Sequence, residues 1–269
     1  MEFKLTDGTH LRVRLVGEGE IKNKTTSLLV HGWGVSGNLW DTVLKQWPKN
    51  AGLLVAPDLR GSGWSGKPHT GYTLEQHAQD MIELMNYLGL GKISLLGHSM
   101  GGAIAQLIAC KIPDRVSKLI LVSPVPASGI ALPNDVSDFF RSGAGHYESF
   151  EKIARSSMAV PPSEVAYHAF LSDAASVTKE AYLEGFEAWK NASFAEQLQK
   201  ITAETIVFGG EAEPYLPAAF LQDQVVSKIK GARFVSIPLA GHYPQLETPD
   251  AFQREVVQRC LLLMRETDE

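Results

Sequence analysis

Cysteine is almost missing from this chain. Cys110 and Cys260 are its only two in 269 residues, too few for a disulfide framework, and each sits in an apolar helical pattern that reads as a reduced core thiol. Long hydrophobic runs are missing too: no window approaches the ~18 apolar residues of a membrane span. The opening MEFKLTDGTH has no basic region followed by an apolar run, so no signal peptide is expected. Asn23 and Asn191 begin N-x-[ST] triplets, which without a secretion signal read as chance matches. Positive charge is nowhere clustered and the net charge is −5, which disfavours nucleic acid and anionic membranes as partners. Internal repeats and low-complexity segments are absent. These absences lead to the expectation of a soluble cytoplasmic protein.

What is present is a core of ordinary size, with 44% hydrophobic and 20% charged residues. Short apolar runs, SLLV (27–30), GLLVAP (52–57), ISLLG (93–97), KLILVS (118–123), TIVFG (205–209) and RFVSIP (233–238), are bounded by Gly, Pro or Asp. Near-continuous apolar character of that length predicts buried strands. Helical patterns over 72–90, 101–112, 216–229 and 249–264 lie between and after them. The alternation predicts an α/β fold, a mostly parallel central sheet with helices on both faces. The opening FKLTDGTHLRVRLVG (3–17) reads as an antiparallel hairpin at a sheet edge. From Val125 to Lys200 the alternation stops. This stretch is helical in pattern and holds ten aromatic residues, too many for a solvated loop. It predicts a helical cap (125–200) inserted into a core domain formed by 1–124 and 201–269, with its rings either facing a pocket or forming the cap's own small core.

The chemistry concentrates in LLGHSMGGAIAQLIA (95–109). It contains G-x-S-x-G as Gly97-His98-Ser99-Met100-Gly101, after an apolar strand and before an apolar helix. A nucleophile on so sharp a strand-to-helix turn needs small flanking residues, and the helix N-terminus beside it favours a developing oxyanion.

With this motif in place the sequence resembles the α/β-hydrolase fold enzymes over nearly its whole length. LLVHGWG (28–34) is similar to the family's His-Gly oxyanion loop. The match implies that the backbone N–H groups of Trp33 and Met100 form the oxyanion hole, with His31 bracing the loop. PDLRGSGWSGKP (57–68) is similar to the family's loop after the next strand. Gly61, Gly63 and Gly66 there also spell G-x-G-x-x-G, but Lys67-Pro68-His69-Thr70-Gly71 follows where a dinucleotide site needs an opening helix, so a tight loop is expected. AGHYPQLETPDAF (240–252) resembles the family's G-H-x-x-x-x-E-x-P signature, ending in Glu247 and Pro249, and makes His242 the base. His10 and His77 are expected on edge or helix surfaces, His146 and His168 in the cap, His69 in a turn, and His98 at the elbow's variable position.

The acid follows from GGEAEPYLP (209–217). Aligning Gly210 and Pro217 with the family's G-x-x-D-x-x-x-P pattern puts Glu213 at the acid position, where Asp is commoner, and Glu211 at a variable site. Asp135 and Asp138 in the cap are the alternatives. The resemblance thus implies a serine hydrolase with catalytic Ser99, His242 and Glu213. It would cleave a small, partly apolar carboxylic ester or lactone through an acyl-enzyme, with no metal and no organic cofactor. The same parts also serve carbon–carbon bond hydrolases, cofactor-free perhydrolases and small-ligand receptors.

Overall fold

The apolar runs become six strands of one eight-stranded sheet, the last of them, RFVSIP, a partly exposed strand at its edge, in a computed structural model that describes residues 1–17 and 26–262. Asn23 and the last two residues of the helix expected over 249–264 lie outside the described residues. The strands are β1 (Glu2–Lys4), β2 (His10–Val16), β3 (Thr26–Val30), β4 (Leu53–Pro57), β5 (Ile93–His98), β6 (Val116–Val122), β7 (Glu204–Gly210) and β8 (Arg233–Ile237). Their spatial order is β1-β2-β4-β3-β5-β6-β7-β8. β1 and β2 form the expected antiparallel hairpin, β2 runs antiparallel to β4, and every pairing from β4 to β8 is parallel.

Every residue of β3, β4 and β5 is buried. Successive side chains point to opposite faces, so Leu28, Val55 and Leu95 enter one core while Leu29, Leu54 and Leu96 enter another. Two-sided burial explains why these strands read as continuous apolar runs rather than alternating ones. Helices α2 (Leu74–Tyr87) and α3 (Met100–Lys111) cover the first face. The second is covered by α1 (Asp41–Gln46) and by the C-terminal segment α9 (Pro244–Glu247), α10 (Pro249–Phe252) and Gln253–Leu262. Cys110 and Cys260 are buried and free, and burial pushes the Cys110 thiol up to about 11.

Between β6 and β7 the chain forms four α-helices, α4 (Asn134–Arg141), α5 (Tyr147–Ser157), α6 (Glu164–Ala174) and α7 (Lys179–Lys190), and a 3₁₀ helix at Ala195–Lys200. Thr178 and Ser163 cap α7 and α6 by accepting N–H bonds from Ala181 and Ala166.

Three elements differ from expectation. α1, six residues long, is too short to show a helical period. The helix expected over 216–229 is α8 (Ala218–Gln224) followed by a 3₁₀ turn at Val226–Lys228, because Val225 leaves helical geometry with φ −123° and ψ −59°. The C-terminal helix keeps α geometry only to Phe252 and continues over Gln253–Leu262 with wider π turns. No helix among the described residues is long and apolar enough to cross a membrane.

Candidate active site

The loops leaving the C-terminal ends of β3, β5, β7 and β8 converge on one point, where open parallel sheets characteristically bind ligands. They bring Trp33, Ser99, Glu213 and His242 together from four separate parts of the chain.

Ser99 turns the chain from β5 into α3 with φ +54° and ψ −119°, a conformation L residues rarely hold. Its backbone is pinned on both sides: its N–H donates to Val122 O at 3.0 Å, and Val125 N–H donates to its carbonyl at 3.1 Å. The flanking glycines are steric requirements. A Cβ on Gly97 would strike the carbonyl of Gly101, and one on Gly101 would strike the carbonyls of Val30 and His31. A Cβ on Gly32 would lie 2.9 Å from His98 Nδ1 and 3.2 Å from the Ser99 Cβ, so the loop after β3 needs its glycine to approach the elbow.

The Ser99 hydroxyl donates to His242 Nε2 at 3.0 Å, and His242 Nδ1–H donates to Glu213 Oε2 at 2.8 Å. A carboxylate can only accept, so Glu213 fixes the proton on Nδ1 and leaves Nε2 as the acceptor facing Ser99. The second oxygen, Oε1, accepts the backbone N–H groups of Tyr215 (3.1 Å) and Leu216 (3.3 Å). Burial alone would raise the Glu213 pKa, but the positive field and hydrogen bond of His242, with the loop N–H bonds, outweigh it and hold the carboxyl below its usual range. Burial likewise opposes the imidazolium of His242, yet the Glu213 charge and hydrogen bond leave its pKa raised. Backbone bonds stitch the two loops together: Glu211 N–H to Ile237 O and Ala212 N–H to Ala240 O, both 2.9 Å. Glu211 itself is exposed and accepts Leu239 N–H at 3.1 Å. Asp135 and Asp138 are exposed on α4, and Asp138 pairs with Arg141 at 3.0 Å; neither meets His242.

Met100 is the first residue of α3, so its N–H lacks an intrahelical acceptor. Among the described residues no hydrogen bond uses the backbone N–H of Trp33 or of Met100. His31 is buried under the loop, where it accepts Leu59 N–H on Nε2 at 2.9 Å and donates from Nδ1 to Gly32 O at 2.8 Å. Burial lowers its pKa and keeps the ring neutral. The Trp33 side chain runs into the inserted helices: its indole N–H donates to Tyr182 O at 2.6 Å, and its ring lies 4.1 Å from that of Tyr182. Gly185 on α7 makes room for it, since a Cβ there would sit 3.2 Å from the indole.

Three residues play parts that their sequence positions did not disclose. His98 is buried, and its Nε2–H donates to the carbonyl of His242 at 2.8 Å. Desolvation and the nearby His242 hold its pKa well below the usual value, so it stays neutral and braces the loop. Glu247 is buried, and its two oxygens accept four backbone N–H groups. Oε1 takes Tyr243 at 2.8 Å; Oε2 takes Gly241 (2.9 Å), Ala159 (2.7 Å) and Val160 (3.1 Å). His242 thus stands between two residues fastened to one carboxylate, which also holds the α5–α6 linker. His77, expected on a helix surface, is instead buried beside Tyr72, where desolvation, Arg60 and His31 push its pKa down to about 3. His10, His69, His146 and His168 are all exposed.

A cavity of about 530 Å³, mouth included, lies over Ser99 and His242 and is walled by Trp33, Phe140, Phe150 and Trp189. No Asp, Glu, Lys or Arg lines it. Among the described residues no group of three or more His, Cys, Asp or Glu could hold a metal ion. Gly61, Gly63 and Gly66 form a loop with no helix inside it, folded round the buried Asp58 carboxylate, which accepts Gly37 and Trp64 N–H groups at 3.1 and 3.0 Å.

The resemblance extends to whole proteins. A non-heme haloperoxidase of Rhodococcus erythropolis is 25% identical over 260 residues, covering 88% of this chain and 90% of that protein. A bifunctional esterase/perhydrolase of Acinetobacter calcoaceticus is 25% identical over 224 residues, covering 77% and 81%. Among solved structures, an esterase from Exiguobacterium antarcticum shares the fold at a TM-score of 0.85, with 23% identity over 96% of this chain and 97% of its own. The family model of the alpha/beta hydrolase fold matches residues 28–249, from the middle of β3 to the first residue of α10. With that span and this sheet order, the chain belongs to the α/β-hydrolase fold family.

Proposed function

We propose that the protein is a serine hydrolase that cleaves a small, uncharged, partly apolar carboxylic ester or lactone through an acyl-enzyme. The reading rests on the relay Ser99 Oγ–His242 Nε2 (3.0 Å) and His242 Nδ1–Glu213 (2.8 Å), beside two backbone N–H groups free to take an oxyanion. Ser99 Oγ attacks the ester carbonyl while His242 Nε2 takes its proton. The carbonyl oxygen becomes an oxyanion held by the Trp33 and Met100 N–H groups at the positive end of α3. The imidazolium, stabilised by Glu213, gives that proton to the departing alkoxide. Water then attacks the acyl-Ser99 ester by the same steps, releasing the acid and restoring the serine. The helices over 125–200 act as a cap whose rings exclude water from this chemistry.

A panel of nitrophenyl esters and lactones, run for multiple turnovers against a Ser99→Ala control, tests the reading. A single turnover followed by arrest would indicate a ligand receptor instead. Perhydrolysis is a second reading, favoured by the two relatives named for peroxide chemistry. There hydrogen peroxide replaces water as the acceptor of the acyl group, and peracid formation from acetate and hydrogen peroxide is its assay.

Two further outcomes are expected. Phe140→Ala should lower kcat/KM for a butanoyl ester by about 10- to 100-fold and for acetate much less, because one lost apolar contact is worth about 1–3 kcal/mol. An equal loss on both esters would limit Phe140 to packing. Glu247→Gln should lower kcat by about tenfold, since the amide leaves converging N–H donors unmatched. It should also move the acid limb of the kcat/KM profile to lower pH. The base works only when neutral, so activity is lost as pH falls through the raised pKa of His242, and the Glu247 charge helps to raise that pKa. A pH profile unchanged from the wild type would contradict this role.

A further inference from the structure

Phe150 on α5 borders two cavities. One is the space over Ser99 and His242; the other, about 520 Å³ with its mouth, lies among the inserted helices. The second cavity is bounded by the α4–α5 turn, with Gly143 and His146, and by Ala174, Val177 and Tyr182. Phe150 is the residue that lines both, and it is 6% exposed. Its ring is fixed by neighbours on three sides: Phe170 at 5.9 Å, Tyr182 edge-on at 6.2 Å, and the oxyanion loop, where a Cβ on Gly34 would come within 3.0 Å of it. Gly34 has φ +74°, so both its conformation and its lack of a side chain serve this contact.

We infer that Phe150 is the specificity-determining partition of this enzyme. It ends the acyl pocket and restricts the wild type to short acyl chains, and the cavity behind it is where the far end of a longer chain lies once the ring is removed. The inference rests on the reading of Ser99 as the acyl-accepting nucleophile. The second cavity takes an uncharged alkyl chain along the wall that Phe150, Leu171, Ala174, Ala175 and Val177 form, and no Asp, Glu, Lys or Arg lines it. A ring held on three sides cannot swing aside as a long side chain on an open surface would. A chain that outgrows the first cavity therefore meets a wall, and its ester carbonyl cannot reach Ser99.

The test uses nitrophenyl acetate, butanoate, octanoate and dodecanoate with the full chain. In the wild type kcat/KM should drop steeply between butanoate and octanoate. In Phe150→Ala the octanoate-to-acetate ratio should rise at least tenfold, with Phe150→Leu, the safer substitution for folding, intermediate. Adding Ala174→Phe should fill the second cavity and abolish the gain, while Ala174→Phe alone leaves acetate and butanoate turnover unchanged. Circular dichroism and thermal melting establish that each variant is folded. An unchanged ratio in folded Phe150→Leu and Phe150→Ala overturns the inference, as does a gain that survives Ala174→Phe, which would mean general loosening. No turnover of any ester by the wild type overturns the serine hydrolase reading, and the inference falls with it.

Discussion

Ser99→Ala is expected to lower kcat toward every accepted ester by at least ~10⁴-fold while leaving the fold intact. The magnitude follows from covalent catalysis: with Oγ gone no acyl-enzyme forms, and the residual rate comes only from the oxyanion donors and from positioning. The backbone provides a check on interpretation. Position 99 holds φ +54°, a conformation alanine tolerates no better than serine, so the variant should melt within a few degrees of the wild type. Stopped-flow traces should also lose the burst of nitrophenol that marks acylation. Near wild-type turnover by Ser99→Ala would remove the mechanism, and with it the reason to regard the Trp33 and Met100 N–H groups as oxyanion donors.

Glu213→Gln should lower kcat by ~10²–10⁴-fold, by analogy with the loss when a triad acid becomes an amide. The hydrogen bonds say which way the amide must turn. One carboxylate oxygen faces the N–H groups of Tyr215 and Leu216, and the other faces His242. The amide oxygen is therefore held by the two backbone donors, and the NH₂ group is left facing the imidazole. The ring answers by moving its proton to Nε2, where it can no longer accept from Ser99. Glu211→Gln should change kcat by less than ~3-fold, because Glu211 is exposed and its contact to Leu239 N–H needs only a carbonyl oxygen. Glu213→Asp should retain partial activity at best, its carboxylate stopping about one C–C bond, ~1.5 Å, short of the ring. Equal activity in the two glutamine variants would falsify the assignment of the acid.

Much of this was legible because the signals are local. A strand buried on both faces has to be apolar at every position, so β3, β4 and β5 announce themselves. The elbow is legible for the same reason: Gly97 and Gly101 flank Ser99 within five residues, and backbone crowding dictates them both. The glutamate in GGEAEPYLP could be singled out only through the resemblance, by aligning Gly210 and Pro217 with the family's acid-loop pattern, and Asp135 and Asp138 stayed open beside it. What stayed hidden depends on partners far away in sequence. His98 looks like filler between a glycine and a serine until the loop after β8 places the His242 carbonyl against it. Glu247 draws half of its hydrogen bonds from Ala159 and Val160, 88 and 87 residues upstream, and no local pattern reports that. His77 reads as a surface residue by its polarity, although it stands three residues after Leu74 and four before Met81, the spacing of the buried face of α2. α1 failed for a different reason, since six residues do not span two turns.

The Glu247 carboxylate has a consequence for how the site responds to occupancy. Its Oε2 is shared between the residue before His242 and the linker joining α5 to α6. A displacement of that linker withdraws donors from the same oxygen that anchors the histidine loop. On the proposed mechanism, placement of His242 and position of that linker are then two variables of one equilibrium. Thermodynamic reciprocity requires the influence to run both ways with equal strength. On the same reading, a ligand that settles the linker sharpens the geometry at His242, and a change at His242 is felt as altered ligand affinity beneath the helices over 125–200.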